Sequence, residues 1–325
     1  MAKYIPKKIK PLLKKIVFPI PKNLSRNFIN ISEKDKESLK NCLIENYYIG
    51  WRKSSNYSAE NFISDLNVHL IERLNNDRRE IIPWLNNSRP LRFQKILEIG
   101  CGTGSSSIAL SEQHALVTGI DVDEGAINVA KEKARIYGQN IKFKCMNSDG
   151  LIKNFDKGEF DHIIFFASLE HMTLKERLSS LSNAWELLNK GGLLTVIETP
   201  NRLWYFDGHT SMMPFFHWLS EDIAYQYSKF SKRQNFNDLY NDFSDKDSVL
   251  HFLRRGRGLS FHEFDLAISN SENLNVISSL SSFQGIRYDM RMTALERQYK
   301  KLLTKINKNI DKSFFDKFLY LTVKK

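Results

Sequence analysis

Cysteine is scarce: Cys42, Cys101 and Cys145 are odd in number, widely spaced and without a CxxC pair in a chain of 325 residues. That excludes a disulfide-stapled module and a thiolate zinc site, and it makes a reducing compartment, the cytoplasm, the expected location. Long hydrophobic runs are also missing. No stretch approaches the roughly 18 apolar residues of a membrane span, and Pro19 and Pro21 break up the short run from Ile16 to Ile20. No apolar segment with a cleavage site marks a secretory leader. Acids are lacking only at the ends: residues 1–26 carry eight cations and no acid, and residues 287–325 eleven cations against four acids. The net charge of +11 therefore sits at the two ends and leaves the middle mildly acidic. This argues against a phosphate-tracking groove across the core, and so against nucleic acid as a partner.

What is present divides into three parts. Within residues 1–26, Ile5, Ile9, Leu12, Leu13, Ile16 and Val17 recur at helix-like spacing among lysines. Such a segment is either a peripheral contact with an anionic membrane or a basic arm on the protein. Residues 27–90 read as a helical extension, with a polar helix over 33–48 and an amphipathic one from Ser58 that carries Phe62, Ile63, Leu66, Leu70, Ile71 and Leu74. Beyond Pro90 the period changes. Apolar runs at 95–99, 115–120, 141–145, 162–167 and 193–197 alternate with helical stretches near 104–113, 124–136 and 173–189. That alternation predicts a domain over 91–325 with a Rossmann-like, doubly wound α/β sheet. Lys190-Gly191-Gly192 is placed to end the last of those helices. Residues 201–258, rich in aromatics, read as an insertion after the fifth strand, and 259–325 as the closing strands, one of them at 317–323.

The most informative stretch runs from Ile96 through Glu98, Gly100, Cys101, Gly102 and Gly104 to Ser105, a buried strand followed by three alternate glycines and a helix. Glycines there let the chain turn and let a nucleotide-like ligand approach backbone amides at the positive end of a helix. Position 105 is Ser, which departs from the GxGxxG of nicotinamide binders. Glu98 would repel a pyrophosphate and suits a ligand with an ammonium group. Asp121 ends the second strand, where a carboxylate accepts hydrogen bonds from both hydroxyls of a ribose.

These residues, with the strand Phe160–Ile164 and Leu169-Glu170-His171-Met172 after it, resemble class I S-adenosylmethionine-dependent methyltransferases over about residues 92–200, the cofactor half. The resemblance implies a seven-stranded sheet and S-adenosylmethionine as cofactor. By it Glu98 helps orient the methionine amino end, the loop Gly100, Cys101, Gly102 and Gly104 passes beneath it, Asp121 holds the ribose and Val122 flanks the adenine. Asp149, or else Asn147 or Ser148, faces the adenine amino group. The segments after the fifth strand resemble a bacterial subset associated with small-molecule, sugar or envelope-glycolipid modification, which implies an O or N acceptor on a small molecule, sugar or lipid-linked glycan.

Ligands bind outside the carboxyl ends of parallel strands, so Glu170, Asn201, Trp204 and Asp207 are expected to bind substrate. His171 and His209 have the intrinsic pKa range of a general base. Glu170-His171 with a later histidine is also similar to metal-assisted RNA 2′-O-methyltransferases. The preceding acid of that pattern is Ala167 here, and no metal is expected. Trp204, Tyr205, Phe206, Phe215, Phe216 and Trp218 are expected to divide between an acceptor lid and the insertion's own core. The run Arg254-Arg255-Gly256-Arg257 either meets an acidic substrate or is a solvated loop. The alternatives are an RNA or protein methyltransferase, a catalytically silent S-adenosylmethionine-binding partner, and a nicotinamide dehydrogenase.

Overall fold

The computed structural model of the protein describes residues 28–49, 59–233, 236 and 246–325. Residues 1–26, and with them the expected membrane segment, lie outside the described residues. Before the sheet come α1 (Glu33–Asn46) and a helical run of α2 (Ala59–Asn67), α3 (Arg73–Asn76) and α4 (Ile82–Ser88), joined by π turns Val68–Glu72 and Asp77–Ile81. Strands β1 (Lys95–Ile99), β2 (Leu116–Asp121), β3 (Lys142–Cys145), β4 (Phe160–Phe166) and β5 (Leu188–Pro200) alternate with α5 (Ser105–Ser111), α6 (Glu124–Ile136), α7 (Leu151–Asn154) and α8 (Leu174–Leu187). Beyond them lie α9 (Glu221–Ser228), α10 (Lys246–Leu253), α11 (Phe261–Ala267), β6 (Asn275–Ser279), α12 (Leu280–Gln284), α13 (Ile286–Asp289), α14 (Ala294–Ile306) and β7 (Phe318–Lys324).

The seven strands form one sheet in the order β3-β2-β1-β4-β5-β7-β6. The first five are parallel, and β7 runs antiparallel between β5 and β6. The near-continuous apolar runs of β1, β4 and β5 are what a strand buried on both faces requires. Leu97, Ile99, Leu194 and Val196 pack on one face with Leu181, Leu187 and Phe314. Ile96, Ile164 and Ile197 pack on the other with Ile81, Ile82 and Trp84 of the helical run. The extension is therefore part of the core. A buried ion pair of Arg78 with Glu112 pins it to the turn after α5. Side chains start the main helices: Asp123 accepts from Ala126 N before α6, and Thr173 forms a capping box with Glu176 before α8.

One expectation needs correction. Lys190-Gly191-Gly192 does not end a helix: α8 stops at Leu187, and the glycines lie in the long strand β5, with Gly191 at φ +76°. The closing strands within 259–325 are β6 and β7, set among several helices. The sheet order reverses between β1 and β4, and in open α/β sheets the crevice at that reversal is where ligands bind.

Candidate active site

The three glycines occupy the left-handed region, at φ +83° for Gly100, +50° for Gly102 and +80° for Gly104. At Gly100 the reason is contact: a Cβ there would stand 2.4 Å from the Cβ of Ser168, at the end of β4. At Gly102 it is the opposite, because nothing lies within 4 Å of that direction and the backbone is bare toward open space. Gly100 N and Cys101 N both donate to Ile120 O, which ties the loop to β2. Asp121, at the end of β2, accepts from Gly102 N at 2.8 Å and Asp123 N at 2.9 Å. Burial raises its pKa while those amides lower it, with a net rise. Each carboxylate oxygen keeps a lone pair for a further donor. Val122, next in the chain, is 70% exposed.

Glu98 is placed otherwise than expected. It is fully buried, and its two oxygens are taken by the hydroxyls of Ser106 and Ser107. Glu98 thus holds the start of α5 beneath the loop instead of opening toward an ammonium group. Cys101 is buried, and burial pushes its thiol well up, so it contributes backbone and packing. Beyond β3, Ser148 turns inward to Ser180 Oγ at 2.6 Å, which removes it from the ligand side. Asp149 and Asn147 are exposed on that turn.

On the acceptor side His171 and His209 come together, their rings 6.2 Å apart between centroids. His171 is exposed, and its Nδ1 donates to Arg254 O at 2.9 Å. Thr210 Oγ1 spends its hydrogen on Gly256 O, so His209 Nδ1 must donate to Thr210 Oγ1 at 3.0 Å. In its neutral form each ring then has Nε2 as the acceptor nitrogen. Burial and the neighbouring His171 push the pKa of His209 down to about 4. Arg177, a residue sequence reasoning did not single out, holds the His171 turn in place. It donates to Leu169 O, Met172 O, Gly258 O and Arg257 O.

Three expected substrate ligands are spent inside the fold. Asn201 donates to Phe314 O and Asp316 O, both at 2.7 Å, and accepts from Leu203 N at 2.9 Å. Trp204 is buried and donates to Phe315 O. Asp207 accepts from the amides of His209, Thr210 and Ser211 and lies beside His217. Burial alone would raise its pKa, but His217 and those amides hold it well below the usual carboxylate range. Its role is to shape the turn that carries His209. Glu170 is fully buried, with Oε2 accepting from Thr199 and Oε1 meeting no partner among the described residues, and burial raises its pKa. Arg257 is likewise buried, donating to Phe216 O and Leu219 O, so the basic run braces the insertion here. The aromatic cluster divides: Trp204 and Phe216 are core, while Phe215 and Trp218 are each 48% exposed.

A residue the sequence did not flag stands at the end of β5. Glu198 has φ +60°, and Ala167, at the end of β4, has φ +45°. Strained non-glycine residues of this kind persist where packing over-determines them, commonly at functional sites. The register shift of β5 between Val196 and Thr199 sets Glu198 beside Arg73 of the helical run, 3.5 Å away, and the Tyr320 hydroxyl. Deeper in, Lys133 donates to His69 O and Ser105 Oγ, and burial brings its pKa down to about 7. His69 meets Thr103 of the glycine loop at 3.2 Å, so the helical run covers that loop.

A family model described as a methyltransferase domain matches residues 96–192. Residues 96–192 are thus similar to a methyltransferase domain. The ubiquinone biosynthesis O-methyltransferase of Coxiella burnetii is 34% identical over 121 residues, 37% of this chain and 50% of that protein. The demethylmenaquinone methyltransferase of Bacteroides fragilis is 30% identical over 129 residues, 38% of this chain and 51% of that one. The chain thus spans about half the length of the curated relatives it matches. Among solved structures, a methyltransferase of Methanosarcina mazei has 30% identity and a TM-score of 0.34, covering 36% of this chain and 57% of that one.

The methyltransferase domain's family uses S-adenosylmethionine. The residues present fit that compound: Gly102 leaves backbone open where side chains would block it, and Asp121 has acceptor capacity for a ribose beside exposed Val122. Asp121→Ala removes that acceptor and is expected to weaken S-adenosylmethionine binding by roughly 1.5–3 kcal/mol, measured by calorimetry.

Proposed function

We propose that the chain transfers a methyl group from S-adenosylmethionine to a hydroxyl of a small molecule. The observation that carries this reading is the pair His171 and His209, each with Nδ1 donating into the fold and Nε2 left as an acceptor. The cofactor supplies an already activated methyl. The protein's part is to position the acceptor and exclude water, and an alcohol or phenol must also lose its proton. A neutral imidazole Nε2 takes that proton, with Asp207 and Arg177 holding the turns that carry the two rings.

Exposed Phe215 and Trp218 supply an apolar, aromatic surface on the insertion that suits an aromatic or prenylated acceptor better than a bare sugar. The name of the Coxiella relative, an O-methyltransferase of ubiquinone biosynthesis, supports an oxygen acceptor on a small molecule here, and that of the Bacteroides relative, a demethylmenaquinone methyltransferase, supports a small molecule. A lipid-linked glycan hydroxyl belongs in the same assay panel.

His209→Ala is expected to lower kcat by ~10²-fold or more while leaving S-adenosylmethionine affinity unchanged. With its pKa pushed down to about 4, His209 stays in the base form through the neutral range, so the acid limb of kcat that it controls falls near pH 4. An unchanged kcat in His209→Ala removes it as the base, and unchanged kcat in both His209→Ala and His171→Ala contradicts base-assisted transfer. Incubation with labelled cofactor and fractionated extract tests the acceptor class: label is expected in a small-molecule or lipid fraction, and label in RNA or protein overturns it.

A further inference from the structure

We propose that α14, with α13 before it, is a docking surface for anionic phospholipid bilayers. The proposal rests on surface chemistry and is independent of methyl transfer. Leu295, Leu302 and Ile306 are 60%, 51% and 66% exposed, and their spacing of seven and four places them on one stripe of α14. Ile286 and Met290, just upstream, are 79% and 53% exposed. Single exposed leucines are ordinary, whereas a contiguous set on one amphipathic helix needs a partner.

The adjoining flank of the helix is anchored. Leu303 is buried, Tyr299 donates to Leu203 O at 2.7 Å, and Lys300 pairs with Asp316. The stripe thus borders the anchored flank and remains exposed beside it. Lys301, Lys305 and Lys308 lie along one edge of it, exposed and in no ion pair among the described residues. Across residues 286–312 there are eight cations and three acids, and one of those acids, Glu296, is engaged by Thr293 and Lys317. An apolar stripe edged by lysines is the pattern of a helix lying in a headgroup layer, with lysines meeting lipid phosphates.

Charge complementarity selects the occupant. Residues 1–26 of this chain carry eight cations and no acid, and a second copy apposed through the same helix would bring the same cations, so both repel this surface where an anionic bilayer attracts it. Because Tyr299 ties α14 to the loop leaving β5, a bilayer held there lies on the side where that loop emerges.

The test is co-sedimentation of the full chain with vesicles of phosphatidylcholine alone and of phosphatidylcholine mixed with phosphatidylglycerol. Wild type is expected to sediment with the mixed vesicles only. Lys301→Gln/Lys305→Gln/Lys308→Gln is expected to lower that partition about a hundredfold, from roughly fivefold per lysine. Leu302→Asp/Ile306→Asp is expected to lower it at least ~tenfold. Thermal unfolding of both is expected to match wild type, because every altered side chain is exposed. Absence of binding by wild type, wild-type binding by both variants, or a wild-type dimer that Leu302→Asp/Ile306→Asp dissolves each overturns the proposal, the last by assigning the stripe to a second copy.

Discussion

Gly102→Arg is expected to abolish S-adenosylmethionine binding, by at least ~10²-fold, in a protein that still folds. The position is unusual among the three loop glycines because a side chain there meets no atom within 4 Å. An arginine would project into the open space above the glycine loop, and would add a cation where the ligand carries a sulfonium and an ammonium. The strain of a non-glycine residue at φ +50° costs about 1 kcal/mol, which a domain of this size tolerates. Gly100→Ala is the contrasting case, since its Cβ collides with Ser168 and the damage falls on the packing of β1 against β4. Calorimetry with S-adenosylmethionine, paired with a thermal melt, separates the two: Gly102→Arg loses heat and keeps its melt, whereas Gly100→Ala also melts early.

The largest effect on stability is expected at Arg78. Its guanidinium grips both oxygens of Glu112, and the pair is nearly sealed from water, with side-chain exposures of 7% and 1%. Arg78 also donates to Ile29 O, so one side chain joins the first described residues, the helical run and the turn after α5. Arg78→Ala leaves a buried carboxylate without its partner, a change that costs roughly 3–5 kcal/mol. Arg78→Met/Glu112→Leu removes both charges at similar volume and is expected to recover most of that loss. Urea unfolding measures both. A single variant as stable as wild type would show that the extension is not held to the domain through this pair.

Much of this arrangement was legible in the sequence, for physical reasons that can be named. A parallel strand buried on both faces must be apolar throughout, so β1, β4 and β5 stood out as runs, and Gly100, Gly102 and Gly104 followed β1 where a ligand needs bare backbone. Asp121 was visible because its strand ended in a carboxylate at the right distance from those glycines. His171 and His209 were visible as imidazoles after β4 and β5, and the fold brings their rings together.

What was not legible depends on long-range partners. Asn201, Trp204 and Asp207 follow β5 as ligand-binding residues do, yet their polar atoms close turns and staple the 314–316 segment. No local spacing distinguishes an Asp that caps its own turn from one that faces a cavity. Glu98 was misjudged similarly, because its partners Ser106 and Ser107 lie eight and nine residues on, across the glycine loop, and serine there reads as helix start. Glu198 was hidden for a different reason. Its exposure to Arg73 depends on a shift in strand register and a left-handed φ, neither of which leaves a mark in the residue order. β6 was expected only as one of the closing strands and was not placed, because its sequence, Asn275–Ser279, is short and polar at an edge of the sheet.

The central claim is that the bare loop and Asp121 together grip an adenosyl sulfonium compound. Isothermal calorimetry of the full chain against S-adenosylmethionine, S-adenosylhomocysteine and nicotinamide adenine dinucleotide tests it most directly. Saturable heat at one site per chain is predicted for the two adenosyl compounds and none for the dinucleotide. Silence with both adenosyl compounds, from folded protein, would contradict it.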